Sequence, residues 1–346
     1  MGESIISKAS GPAWQIRPAA LKVAWLVACT FGVYGSAGVY SRAVVGQEKT
    51  PAAYDESALY ERFDGERAYR ILKQICELGP RPSGSEAMMQ QVEMLEGYFK
   101  ELGLQTERQS FEFPHWRFEE PVELTNLIVR FQPEARDRIL FCCHYDTRPY
   151  PENDPENPRG TFVGANDGAS GVALLAELAR HLSGWQTDLG VDLVFFDAEE
   201  MIYDRRRDQL FIGSTYFARR YASQPRDYFY RFGVLVDMVG DAQLELYYER
   251  NSLRMARVVT RQIWQSAKVL RAEGFVARPR HEISDDHLPL NEIARVPTTN
   301  LVDFDYPKIG TKQSYWHTEK DTPDKCSAAS LKQVGRVLLH WLQTQR

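Results

Sequence analysis

Apolar positions along this chain follow two periods. Residues 64–78 (DGERAYRILKQICEL) set Ala68, Ile71, Leu72, Ile75, Cys76 and Leu78 near helical spacing. Ser85 then caps a second amphipathic helix that runs to about Leu102 and stops at Gly103. Between the two, Gly79-Pro-Arg-Pro-Ser-Gly-Ser85 breaks the helix with two prolines and two glycines. Short apolar runs at residues 123–131, 138–143, 191–196, 232–239, 244–248 and 296–302 predict strands. Helical patterns fill residues 171–182, 213–221, 253–270 and 327–344, and the four-proline stretch 149–159 reads as a loop beside a strand end. Strands alternating with helices predict an α/β fold with a largely parallel sheet. No internal linker divides residues 64–346, which are expected to form one domain.

The most informative run is Val191–Glu200, VDLVFFDAEE. An apolar, β-branched and aromatic segment reads as a buried strand that delivers Asp197, Glu199 and Glu200 to its own C-terminal edge. In open α/β sheets that edge is where ligands bind. Taken alone, an acidic pair is more often a solvated turn, but the pattern recurs in this chain. His144 with Asp146, Asp167 in GANDGASG, Asp237 in VDMVGD and His317 in YWHTEKD all lie at or just past a strand end. Imidazole and carboxylate donors without thiolate suit Zn²⁺ in a catalytic site that keeps one position open. Cys142 and Cys143 lie within an apolar strand and read as packed thiols.

Composition narrows the classes further. Lys and Arg number 42 against 47 Asp and Glu, for a net charge of −5, and no long basic run supports nucleic-acid binding. Five cysteines without CxxC spacing exclude a disulfide-rich framework. The 19 uncharged residues between Lys22 and Arg42 follow the basic positions Lys8, Arg17 and Lys22. This pattern predicts a basic segment at 1–22, a signal-anchor or signal peptide at 23–41 and a tether at 42–63. The domain at 64–346 would then lie outside the cytoplasm, secreted, periplasmic or held to a membrane by the N-terminal segment.

Together, from GPRPSGS at Gly79 to the C-terminal helix, these motifs resemble the M28-type zinc aminopeptidases and glutaminyl cyclases. The resemblance implies a three-layer α/β sandwich with a mixed, mostly parallel central sheet and a zinc site at strand ends. By matching motifs, Asp167, Glu200 and His317 fall on the zinc-ligand positions of both branches, and Glu199 on the acid/base glutamate. His144 and Asp237 fall where the aminopeptidases hold a second zinc; the cyclases keep these residue types yet bind one metal.

Several features resemble the cyclase branch. A 12-residue loop containing Arg205-Arg206-Arg207 separates Glu200 from Gly213, Asp285-Asp286-His287-Leu-Pro289 matches DDH-x-P, and Tyr315-Trp316-His317-Thr318 matches aromatic-Trp-His-Thr. GANDGASGVALLAELA reads more like the aminopeptidases. Val172 stands where animal cyclases have a second cysteine, and Asn300 where they have a pocket histidine. A pocket tryptophan of the cyclases is also replaced near Arg205. The expectation is therefore a cyclase that converts an N-terminal Gln of peptides or proteins to pyroglutamate with one zinc. The alternatives are an aminopeptidase with two zincs and a catalytically inactive binding ectodomain. In the cyclase reading Glu199, Asp237 and Asp285 carry the proton chemistry, with the last two sharing a proton if adjacent. Trp316 would line the substrate pocket.

Overall fold

The computed structural model describes residues 56–307 and 314–345. A 3₁₀ turn at Glu56–Arg62 precedes helix α1 (Gly65–Glu77) and helix α2 (Glu86–Glu101). Each helix starts on a side-chain cap: Asp64 accepts from the Arg67 N–H, and Ser85 from the Met88 N–H. The hairpin β1 (Thr106–Phe113) and β2 (Val122–Phe131) follows. Next come β3 (Asp137–His144), α3 (Ala169–Leu182), β4 (Gly190–Phe196), α4 (Ile212–Ser223) and β5 (Phe229–Asp237). The chain closes through β6 (Leu246–Tyr248), α5 (Arg250–Met255), α6 (Arg257–Val269), β7 (Phe275–Pro279), α7 (His287–Glu292), β8 (Thr298–Val302) and α8 (Ala328–Gln343).

Six strands form one sheet in the order β1-β2-β4-β3-β5-β8. The pairs β4/β3, β3/β5 and β5/β8 are parallel, and β2 joins β4 antiparallel. Helices cover both faces, as burial of parallel strands demands. Alternate strand residues divide between them. Phe141, Cys143, Leu193, Phe195 and Val236 face α1, α2, α3, α6 and α8. Leu140, Cys142, Val194 and Leu235 face α4 and α7. This is the expected three-layer α/β sandwich. The chain passes from β3 to β4 on one side, then back to β5 on the other, so the order reverses at β3. Such a switch point opens a crevice at the C-terminal strand ends. The opposite end is closed by Arg138, fully buried in β3, which bonds Asp192 of β4 and the carbonyls of Phe131, Gln132 and Ala135.

Three expectations are corrected. Residues 56–63 are not tether: Leu59 and Phe63 are buried in the main core. The single helix expected at 253–270 is two, broken at Ala256 (φ −133°, ψ 32°). The run at 244–248 yields only the short β6, which pairs with β7 in a separate two-stranded sheet rather than joining the main one. The N-terminal segments 1–22 and 23–41, and the tether up to residue 55, lie outside the described residues. No helix among the described residues is long and apolar enough to cross a membrane.

Candidate active site

The candidate ligands converge because three parallel strands end side by side. His144 closes β3 opposite Phe196 of β4, and Asp237 closes β5 opposite Val302 of β8. Just past two strand ends the backbone is left-handed at Ala198 (φ 56°) and Met238 (φ 49°); Asp167 and His317 (φ 54°) were expected at strand ends too, but Asp167 sits in the turn before α3 and His317 in the loop between β8 and α8. For residues with a Cβ such φ values are uncommon and require the surroundings to hold them. Gly168, beside Asp167, has φ 103°, and a Cβ there would stand 2.8 Å from the Asp146 carbonyl oxygen, so only glycine fits.

Asp146 orders the Glu199-Glu200 pair. Its Oδ1 accepts from the Glu199 N–H at 3.1 Å and its Oδ2 from the Glu200 N–H at 2.9 Å. Asp321 does the same for the Asp167 turn, accepting from the N–H groups of Asn166 (2.8 Å) and Asp167 (3.0 Å). Tyr306 donates to Asp321 at 2.8 Å.

These supports bring Asp167, Glu200 and His317 together. His317 Nε2 lies 2.9 Å from Glu200 Oε1 and 3.3 Å from Asp167 Oδ2. Asp167 also reaches the second group: His144 Nε2 is 3.3 Å from Asp167 Oδ1 and 3.0 Å from Asp237 Oδ1. In Asp167-Glu200-His317, in His144-Asp167-Asp237 and in His144-Glu199-Glu200, one donor atom from each residue lies within 4.8 Å of the others. Asp167 Oδ2 is buried without a hydrogen bond. An open carboxylate oxygen facing an imidazole nitrogen, with no thiolate in the set, fits a divalent cation of the zinc class.

The electrostatics agree. Burial opposes charge on His317, but Glu200, Asp167 and Glu152 outweigh it and raise its pKa to about 10. His144 is likewise raised, against burial, by Asp146, Asp167 and Asp237. The two imidazoles hold Asp167 below the ordinary carboxylate range despite its burial. Burial, then the Glu200 charge, pushes Glu199 well above that range. Burial raises Asp237 too, partly offset by His144.

The cluster opens into a pocket of about 470 Å³ whose walls include Glu199, Asp237, Asp285, Leu210, Phe304 and Trp316. Thus all the candidate residues share one site. Trp316 packs edge-on to Phe304 at 5.0 Å and against His317 at 3.9 Å. Asp285 is raised to about 7 by burial and then by the Asp237 charge. Its hydrogen bonds nevertheless go to Asn300 Nδ2 and the Asp286 N–H, both at 2.6 Å, while Asp237 bonds His144. Asn300 is fully buried behind Asp285. Residues 201–211 fold back so that Ile202, Arg205, Leu210 and Phe211 form the outer wall. That loop is clasped to the β1–β2 connection through Asp208, which bonds Trp116 and pairs with His115 at 3.1 Å.

Arg148, Glu152 and Asp321 escaped the sequence reading. Arg148 donates to Glu200 from its backbone N–H (3.1 Å) and from Nε (3.0 Å). Its proximity to HYD in the sequence was the available signal. Asp321 closes the YWHTEKD motif that carries His317, which was its available signal; nothing in the spacing marked Glu152.

Residues 126–342 match peptidase family M28. The chain belongs to peptidase family M28. Among solved M28-like structures, a glutaminyl cyclase from Fimbriiglobus ruber is 37% identical with a TM-score of 0.77, covering 82% of this chain and 96% of that one. A Zn-dependent exopeptidase from Parabacteroides distasonis is 29% identical with a TM-score of 0.73, covering 80% of this chain and 97% of that one. The glutaminyl-peptide cyclotransferase of Gloydius blomhoffii is 25% identical over 243 residues, which span 62% of this chain and 63% of that relative. The M28 match begins at Asn126 in β2 and takes in every candidate ligand.

Proposed function

We propose that this M28 protein is a glutaminyl-peptide cyclotransferase. It would convert the N-terminal Gln of peptides to pyroglutamate and release ammonia, with one zinc held by Asp167, Glu200 and His317. The observation that carries this reading is the wall built by residues 201–211, which places Arg205, Leu210 and Phe211 on the same pocket as Asp285 and Trp316. A Gln side chain must fold back onto its own α-amine, and a walled, partly apolar pocket favours that compact shape while limiting attack by water.

In the reaction a bond forms between the α-amine nitrogen and the side-chain amide carbon, and the bond from that carbon to the amide nitrogen breaks. Glu199 would take a proton from the amine and return it to the leaving nitrogen, so that ammonia departs. Burial and then the Glu200 charge raise its pKa above the ordinary carboxylate range, which makes it a stronger base than a solvated glutamate. Asp237 and Asp285 line the same pocket but bond His144 and Asn300 rather than each other, so they would act on the shuttled proton through their charge rather than by sharing it. Trp316 would pack against the aliphatic part of the glutamine. Zinc bound by the three ligands would supply Lewis-acid polarisation of the side-chain carbonyl.

A second reading, an aminopeptidase with two metal ions, is favoured by the His144-Asp167-Asp237 group. The two readings separate when ammonia release and peptide length are both followed on Gln-initiated and Leu-initiated peptides. A cyclase releases ammonia from the first and leaves the second untouched, whereas cleavage of the Leu peptide would support the aminopeptidase. Residues 23–41 would place the domain outside the cytoplasm.

A further inference from the structure

His317 is held from behind as well as in front. Its Nε2 faces Asp167 and Glu200, and its Nδ1 lies 2.9 Å from Oε1 of Glu152. Glu152 belongs to the proline-rich loop 149–159, and that loop is tied directly to the chain around His317. The Asn153 N–H donates to the His317 carbonyl at 3.0 Å. Asp154 accepts from the Glu319 N–H at 3.0 Å and from the N–H groups of Glu156 and Asn157 within its own loop. Glu319 in turn accepts from the Thr161 N–H at 2.7 Å. The loop thus fixes the left-handed backbone of His317 and the carboxylate behind its ring in one construction.

From this geometry we propose that Glu152 is the positioning residue that makes His317 a metal ligand. A carboxylate only accepts, so the hydrogen on Nδ1 is donated to Glu152. That leaves the Nε2 lone pair for the cation and holds the ring plane toward Asp167 and Glu200. A histidine without such a partner divides between two tautomers and several ring orientations. Glu152 is itself fixed from the pocket wall: Arg205 Nη2 donates to the same oxygen at 2.8 Å and to Asn153 Oδ1 at 3.4 Å. Arg148 Nε stands 3.5 Å away. The wall loop and the metal ligand therefore share one carboxylate oxygen.

This inference rests on zinc being bound as proposed above, but its test is independent of which reaction zinc serves. Zinc affinity of the purified full chain is measured by competition with a chromogenic chelator, for the parent, Glu152→Gln and Glu152→Ala. Loss of a residue that orients a ligand typically weakens metal binding by about 10- to 100-fold. The expected order is Glu152→Ala near the upper end of that range and Glu152→Gln near the lower, because an amide oxygen still accepts the Nδ1 hydrogen. Glu152→Gln is nearly isosteric and serves alone should the alanine variant fail to fold. Affinity within twofold of the parent in a folded variant overturns the proposal, as does a parent that binds no zinc. A parent that binds zinc yet forms no pyroglutamyl product refutes the cyclase reading, while the role of Glu152 is still decided by the affinities.

Discussion

Asp146→Asn isolates the residue that aims the two glutamates without removing any candidate ligand. In the parent, Asp146 is fully buried and accepts from the Glu199 and Glu200 N–H groups at 3.1 and 2.9 Å, with Ser83 Oγ at 3.3 Å from Oδ2. An asparagine keeps one acceptor oxygen and turns an NH₂ toward the other N–H. One buried donor is then stranded, at a cost of about 1–3 kcal/mol. Part of this is recovered, because after burial the Asp146 charge is the main cause that raises Asp197 to about 7, and the amide removes it. A net loss of about 2 kcal/mol lowers the melting temperature by roughly 4 °C for a domain of this size. The larger effect is on catalysis: displacement of Glu199 by about 1 Å costs on the order of 100-fold in turnover. The assay pairs thermal unfolding with ammonia release and zinc content. Turnover per bound zinc should fall by that factor, which separates displacement of Glu199 from any loss of metal through Glu200. Parental turnover in a variant with the expected melting loss would refute the claim that Asp146 positions the pair.

Glu199→Gln should retain zinc by elemental analysis and lose turnover by about 10²- to 10⁴-fold, the usual worth of general acid–base catalysis; parental turnover would remove Glu199 from the mechanism. His317→Ala should release zinc and abolish activity, and stoichiometric zinc in that variant would contradict the ligand assignment. Asp197, raised by burial and then by Asp146 from 3.8 to about 7, binds its proton more tightly in the folded state. Its contribution to stability is therefore full below about pH 4 and is lost as pH rises through 7. Asp197→Asn, whose amide oxygen can still accept from the Thr125 N–H, should gain in melting temperature relative to the parent as pH rises from 4 to 8, and a constant difference would refute this. Cell fractionation should find the full chain with membranes or outside the cytoplasm, and soluble full-length protein in the cytoplasm would contradict export through residues 23–41.

Much of the fold was legible because its central strands are apolar on both faces and end abruptly in acids. Val191–Glu200 shows why: seven buried residues in β4 lead straight to the carboxylates. Two outlying strands, β1 and β7, were not legible. In β1 only every second residue of its later half is buried, and β7 is mostly exposed, so neither carries an apolar run. The break at Ala256 leaves no mark, since neither Gly nor Pro is present and the helical spacing continues through it. Glu199 and Glu200 were found because a strand end and a family resemblance both point to them; Asp167, in the turn before α3, and His317, in the loop between β8 and α8, lie away from strand ends and were found by the resemblance. Glu152 and Asp321 act from loops through hydrogen bonds to residues of other segments, and such contacts depend on where distant segments meet. Arg138 is the opposite case: a fully buried charge inside a strand that sequence patterning alone would place in solvent.

Mass spectrometry of the products bears most directly on the cyclase assignment. The purified protein is incubated with a Gln-initiated peptide and a Leu-initiated peptide of otherwise identical sequence, and its zinc content is determined in parallel. The Gln peptide should lose one ammonia with its chain intact, the Leu peptide should be unchanged, and one zinc should be bound per chain. Peptides shortened by their first residue, two zincs per chain and no pyroglutamyl product would contradict the cyclase reading and assign the site to an aminopeptidase.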